Sequence, residues 1–148
     1  MYDQKFGKVT ASKAYELIVS ANLPLSNDDI LTQVWHFNIP LKNKCFTWLA
    51  LYGKINTWDN LCRKGWLNPN RCCICKRSAE SVYHLFVDCR FAHEVINNLG
   101  RYFDANLTWT EASLLVNLSS WLSLDGELLY LPFFLIWHLW KARNSFIF

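Results

Sequence analysis

Residues 71–90 read RCCICKRSAESVYHLFVDCR, and four side chains in that stretch decide how the chain is organised. Two residues separate Cys72 from Cys75, eight separate Cys75 from His84, and four separate His84 from Cys89, giving C-x2-C-x8-H-x4-C. Two thiolates two residues apart can turn back on one ion through a tight backbone loop, and zinc takes four such nitrogen or sulfur donors in a tetrahedron. The set Cys72, Cys75, His84 and Cys89 therefore predicts one zinc ion in a closed Cys3His site. Cys73 is too close to Cys75 for the usual chelate, and His93 stands as a lower-ranked substitute for Cys89. The competing reading is that these are core cysteines and a satisfied histidine. With all four positions taken by protein, no place is left for an activated water, so the metal is expected to be structural. In small peptides such an ion contributes about 10–16 kcal/mol of apparent binding free energy, more than so short a loop gains from its few apolar groups.

Helical patterning surrounds this loop on both sides. Upstream, Ser12 can cap a helix carrying Ala14, Leu17, Ile18 and Ala21, closed by Pro24. Ser26 and Asp29 resemble a capping box before Ile30, Leu31, Val34 and Trp35, an element that Pro40 ends. Cys45, Trp48, Leu49 and Tyr52 repeat the stripe, with Gly53 placed for a left-handed cap. Thr57 then opens a brief helix through Leu61 and Lys64, with Gly65 as its stop. Downstream, Ala92, Val95, Ile96, Leu99 and Phe103 form a further stripe that Gly100 weakens. Thr110 and Glu111 begin a helix with Leu114, Leu115, Leu118, Trp121 and Leu122. Pro132 fits the first turn of a last helix, about residues 130–146, whose shared face is Phe133, Ile136, Trp137, Trp140 and Asn144. The loop itself, about residues 71–90, has no sustained period and reads as loop or short hairpin. The expected fold is mostly α: one small helical domain over residues 1–148 with an inserted Cys3His zinc-knuckle-like loop.

Composition sets the outer bounds. A chain of 148 residues, 52% hydrophobic and with only nine Gly and Pro, can bury a real core as one domain. Charges near the start, in MYDQKFGKVT, argue against a signal peptide, so an intracellular protein of nucleus or cytoplasm is expected. In a reducing compartment the cysteines are metal ligands or buried thiols, and Cys45 and Cys62 fall in the second group. The sequons at Asn106 and Asn117 are then chance matches. The apolar run Leu128–Trp137 is far short of the roughly 20 residues a membrane crossing takes. It reads as a core helix or, more sharply, as a surface for a partner.

Charge is distributed unevenly. From Phe37 to Arg77 eight basic residues (Lys42, Lys44, Lys54, Arg63, Lys64, Arg71, Lys76, Arg77) face Asp59 alone, a local balance of +7 in a chain whose formal total is +3. Cations invite phosphates, and Trp58 and Trp66, interleaved with Arg63 and Lys64, can stack on bases. Core packing for the tryptophans and a solvated face for the charges are the bland alternatives. The candidate nucleic-acid contacts are Lys42, Lys44, Arg63, Lys64, Arg71, Lys76 and Arg77. There is no Gly-rich phosphate loop, no polymerase-like pair of aspartates, and no nucleophile with an evident base, so an enzyme is not expected.

Several segments together resemble the zinc-binding domain of plant non-LTR retrotransposon reverse transcriptases. They are GKVTASKAYELI (7–18), VWHFNIPLKNKCFTWLALYGKINTWDNLCRKGW (34–66) and CCICKRSAESVYHLFVDCRFAHEV (72–95), the last keeping Glu80 and His84-Leu85-Phe86. IWHLWKARNSFIF (136–148) is similar to the segment that follows this module, before the RNase H-like domain of such polyproteins. At Leu41 the family often has a second proline. The resemblance implies zinc on Cys72, Cys75, His84 and Cys89, a place downstream of a polymerase domain, and a C-terminal helix leading toward an RNase H-like domain absent from this chain. The polymerase palm and the RNase H carboxylates are absent too. The expected function is a zinc-binding, RNA- or single-stranded-DNA-binding accessory module without catalysis. The alternative is a docking or spacer module that contacts a polymerase or RNase H-like partner through the aromatic C-terminal helix.

Overall fold

The computed structural model describes residues 29–147 apart from 108, 111, 112 and 123–125. The expected helix over Ser12–Ala21 and the Ser26 cap lie outside the described residues. Among those described there is no strand. The chain runs through α1 (Asp29–Gln33), α2 (Leu41–Leu51), α3 (Trp58–Arg63), a π-helical turn (His84–Asp88), α4 (Arg90–Tyr102), α5 (Leu114–Leu122), a 3-10 turn (Glu127–Tyr130) and α6 (Leu131–Ser145). The mostly helical expectation holds, and the stretch between α3 and the π turn is loop with no hairpin.

Local signals account for most helix ends. Pro40 precedes α2 and removes the N–H that would extend it backwards, and Gly53 follows at φ +62, the left-handed residue that stops it. Gly65 does the same after α3 at φ +89. Thr57 sits at the N-cap of α3, but its hydroxyl donates to the Asp59 carboxylate and makes no bond to a backbone N–H. Pro132 lies in the first turn of α6 as its fixed φ favours.

The core is organised on α6. Phe133, Leu135, Ile136 and Leu139 are buried, and α6 packs along α2 and against the π turn. The main core joins Phe46 and Ala50 of α2, Leu85, Phe86 and Val87 of the π turn, Ala92 and Ile96 of α4, and Trp109, Leu114 and Trp121 around α5. Trp109 anchors this region by donating its indole N–H to the Phe86 carbonyl at 2.7 Å. Val34 and Ile39, in the turn after α1, form a smaller cluster with Phe133 of α6.

The inward face of α2 is not the one the stripe predicts. Asn43, Phe46, Thr47 and Ala50 are buried, while Leu49 is exposed and Cys45, Trp48 and Tyr52 are half-buried. Both sets obey the helical period, and α2 carries apolar residues all round, so periodicity alone cannot choose between them. Phe46 decides: its ring packs against Phe86, Trp137 and Trp140, at 5.2–6.3 Å between centroids. Asn43 follows it inward and donates its amide to the Phe133 carbonyl at 3.3 Å. On α6, Trp137 and Trp140 are half-buried, and Arg143 is buried in the last turn. Among the described residues no helix is long and apolar enough to cross a membrane.

Candidate metal centre

The chain brings Cys72, Cys75, His84 and Cys89 together. Their ligand atoms all lie within 4.8 Å of one another, Cys72, His84 and Cys89 are buried, and Cys75 is half-buried. A zinc tetrahedron with bonds of about 2.0–2.3 Å sets its donors roughly 3.5–3.8 Å apart, so this set needs only a small contraction to meet one centre. Soft sulfur and imidazole donors in that number are the chemistry zinc selects.

Each half of the site has its own local cause. The first is a knuckle: the Cys72 carbonyl accepts from the Lys76 N–H at 2.9 Å, and the Cys72 N–H donates to the Ser78 carbonyl at 2.9 Å. Lys76 takes φ +56, the left-handed conformation that reverses the chain just after Cys75. The second half is the π turn, closed by the Cys89 N–H on the His84 carbonyl at 2.7 Å. In an α-helix, residues five apart point about 140° away from each other. A turn closed from residue i to i+5 brings them to one side, which is what His84 and Cys89 require. Cys89 then serves as the N-cap residue of α4, where its carbonyl accepts from the His93 N–H at 3.0 Å.

A second layer orients the imidazole. Nδ1 of His84 lies 3.2 Å from Oδ2 of Asp88, and Nε2 faces Sγ of Cys75 at 3.2 Å. A carboxylate on one ring nitrogen leaves the other to a metal, the usual support of a ligating histidine. The His84 N–H also donates to the Ser81 hydroxyl at 3.0 Å.

Within the cluster the protons are unevenly shared. A hydrogen bond from Cys89 outweighs burial and, with His84, draws the Cys72 thiol down to about 3. That same bond, together with burial, pushes Cys89 up. His84 is raised to about 9, chiefly by its hydrogen bond to Cys72 against the opposing effect of burial, with Cys75 and Asp88 adding to the rise. Burial pushes the Cys75 thiol up, but the backbone N–H groups of Arg77 and Ser78 and the imidazole of His84 prevail and lower it. Cys72 and His84 thus draw each other toward the thiolate and the imidazolium.

Cys73 turns away from this centre. Its Sγ lies 3.9 Å from Oε2 of Glu80 and 3.5 Å from the Arg143 carbonyl, and burial raises its thiol. His93 is likewise outside the cluster. Cys45 and Cys62 are half-buried rather than buried, and the Cys62 thiol donates to the Asn68 carbonyl at 3.6 Å.

One pair beside the site was not foreseen. Glu80 and Arg143 form an ion pair whose side chains are 0% and 4% exposed, with Nη2 2.6 Å from Oε1 and Nε 3.1 and 3.2 Å from the two carboxylate oxygens. Oε1 also accepts from the Trp58 N–H at 2.9 Å, and the guanidinium lies over Trp140 and Trp58 at 4.9 and 5.7 Å from their centroids. Asn70 accepts from the Glu80 N–H at 3.0 Å. The metal loop, α3 and the end of α6 are thus tied at one carboxylate.

The candidate nucleic-acid residues divide. Lys42, Arg63, Lys64, Arg71, Lys76 and Arg77 are exposed, and Lys44 is half-buried. Lys44 instead donates to the Trp35 carbonyl at 3.0 Å, and Lys42 lies 5.8 Å from the centroid of Trp137. Trp66 is 63% exposed, which removes the core-packing reading for it, whereas Trp58 is half-buried beneath Arg143.

Residues 10–95 match the family described as zinc-binding in reverse transcriptase. The chain belongs to that family. The matched span contains all four clustered ligand residues, while Arg143 and α6 lie beyond it. The chain is also similar to an Arabidopsis thaliana protein named "Putative ribonuclease H protein", 27% identical over 84 residues. The alignment covers 56% of this chain and 14% of that relative. No solved structure matches the chain. Membership in this zinc-binding family and a Cys3His cluster agree on the metal.

Proposed function

We propose that the chain holds one structural zinc ion through Cys72, Cys75, His84 and Cys89 and, so stiffened, binds RNA or single-stranded DNA as an accessory module without catalysis of its own. The zinc contributes rigidity. Four protein donors leave it no position for water or substrate, so the chemistry it supplies is the fixing of a loop. The binding chemistry comes from the chain around it.

The observation that carries the nucleic-acid reading is the skin of residues 63–79. Arg63 through Arg71 are exposed without interruption, and Lys76 to Ala79 are exposed again after the knuckle. That surface carries Arg63, Lys64, Arg71, Lys76 and Arg77 and not one acidic residue, and in its midst Trp66 and Leu67 are 63% and 101% exposed. An uncovered tryptophan among cations fits an unpaired base beside its phosphate. The docking alternative draws less support, because the apolar face of α6 is already occupied by the chain's own core.

Retention of short RNA and single-stranded DNA by the zinc-loaded chain at two salt concentrations tests this. Binding is expected at low salt, weakening with a log–log slope of about −0.7 per phosphate contact, and Lys76→Glu with Arg77→Glu should weaken it further. A chain that retains neither probe at low salt would leave docking as the better reading.

A further inference from the structure

A trough about 440 Å³ in volume lies between the turn after α2, helix α3 and the residues leading into the π turn. That is the scale of a small-ligand site, about 300–1,000 Å³. Its cations are Lys54, Arg63 and Lys64, its acid is Asp59, and its aromatic walls are Tyr52 and Tyr83. Only part of the positive charge is answered from within. The Asp59 carboxylate is taken by Arg63 at 2.8 Å and by the Thr57 hydroxyl. Lys64 rests on the neutral Asn56 side-chain oxygen at 2.8 Å, and Lys54 has no carboxylate partner among the described residues.

The walls are preformed. Asn60 clamps the turn by donating to the Gly53 and Ile55 carbonyls at 2.7 and 2.8 Å. Tyr52 is backed by Trp48, with ring centroids 4.6 Å apart. Tyr83 is 44% exposed and immediately precedes His84, and Ser81 on the same wall accepts from the His84 N–H. One side of the trough is therefore the entry to the metal cluster.

Resting on the nucleic-acid reading above, we infer that this trough is where a single-stranded nucleic acid is gripped, its phosphate held by Lys54 and Lys64 and an unpaired base laid on Tyr83. Two chemistries lie side by side there, cations for the backbone and an aromatic wall for a base. A base inside a duplex does not offer its face to such a wall, so the ligand is a single strand. The carboxylates of an acidic peptide would satisfy the lysines but bring no flat ring to Tyr83, whereas each nucleotide carries its phosphate and its ring together. Lys54, Tyr52 and Tyr83 thereby join the binding surface.

The test is fluorescence anisotropy of labelled oligo-uridine, oligo-thymidine and a duplex of mixed sequence with the full zinc-loaded chain. Each variant is checked for zinc content and helical circular dichroism. Tyr83→Ala should weaken single-strand binding roughly tenfold to a hundredfold, and Tyr83→Phe should restore it. Lys54→Glu with Lys64→Glu, remote in sequence from the zinc ligands, should flatten the log–log salt slope by about 1.4. If these variants bind as the parent does while Lys76→Glu with Arg77→Glu abolishes binding, the trough is the wrong place and the nucleic-acid reading survives. Binding of the duplex as tight as of the single strand, or competition by poly-glutamate as effective as by oligo-uridine, would also overturn the inference. A parent chain that binds none of the probes removes both readings at once.

Discussion

At the residue scale the protons of the metal cluster set how zinc is taken up. Zinc needs thiolates and a neutral imidazole, so the protons on His84 and Cys89 must leave. Cys72, drawn down to about 3, is already ionised at neutral pH, whereas His84, raised to about 9, still carries its proton. Titrating zinc into the metal-free chain at pH 7 in buffers of differing ionisation enthalpy should reveal about two or more protons released per ion. Release of none would contradict the proton distribution described. A group whose folded value is raised contributes fully below its unfolded value, about 6.5 for histidine, and that contribution fades as pH climbs through about 9. Over the same interval the Cys72 thiol, ionised in the folded chain and protonated in the unfolded one, contributes with the opposite sign, so the fold without zinc should change little in thermal stability while zinc affinity rises. The four ligands were legible in the sequence because CxxC, histidine and cysteine at short spacings are a local pattern. The bond between Asp88 and His84 is also short-range, four residues, but a lone aspartate gives no sign of which ring nitrogen it faces.

At the element scale the structure turns on contacts that periodicity does not carry. Glu80 and Arg143 are 63 residues apart, and nothing in a single sequence pairs them. Arg143, in the last turn of α6, is buried where that helix meets the metal loop. Removing one member of a buried ion pair leaves an uncompensated charge, a loss of about 3–5 kcal/mol. Arg143→Ala should lower the unfolding free energy from a chemical denaturation series by that much, and Arg143→Met with Glu80→Gln should recover a good part of it. Gly100 makes the opposite point. By propensity it weakens α4, so Ala there should help. In the fold a Cβ at this position would stand 2.9 Å from the Ala105 carbonyl, where the chain doubles back after the helix. The Ala105 N–H also donates to the Gly100 carbonyl at 2.9 Å, so the backbone cannot readily withdraw. Gly100→Ala is expected to destabilise by about 1–3 kcal/mol, read as a lower melting temperature. The buried face of α2 was missed for a related reason, since Asn43 and Thr47 are inward only because Phe46 between them is held by aromatic rings of α6 and the π turn.

At the scale of the whole molecule, the metal cluster is part of the core. Cys72 and Cys89 lie in the same buried cluster as Leu85, Phe86, Ile136 and Leu139, and α6 touches both α2 and the π turn. The sequence suggested a knuckle inserted between helices; the packing makes it a keystone to which α3, α4 and α6 are all attached. Losing the ion should therefore loosen more than residues 71–90. A chelator is expected to lower the midpoint of the entire helical melt followed by circular dichroism, with no separate transition for the loop. The most direct test of the account is the zinc-to-protein ratio of the purified chain, measured by elemental analysis beside a Cys75→Ser variant. One zinc per chain is expected, lost on that substitution. A folded chain that carries no zinc, or a Cys75→Ser chain that keeps its full complement, would contradict it.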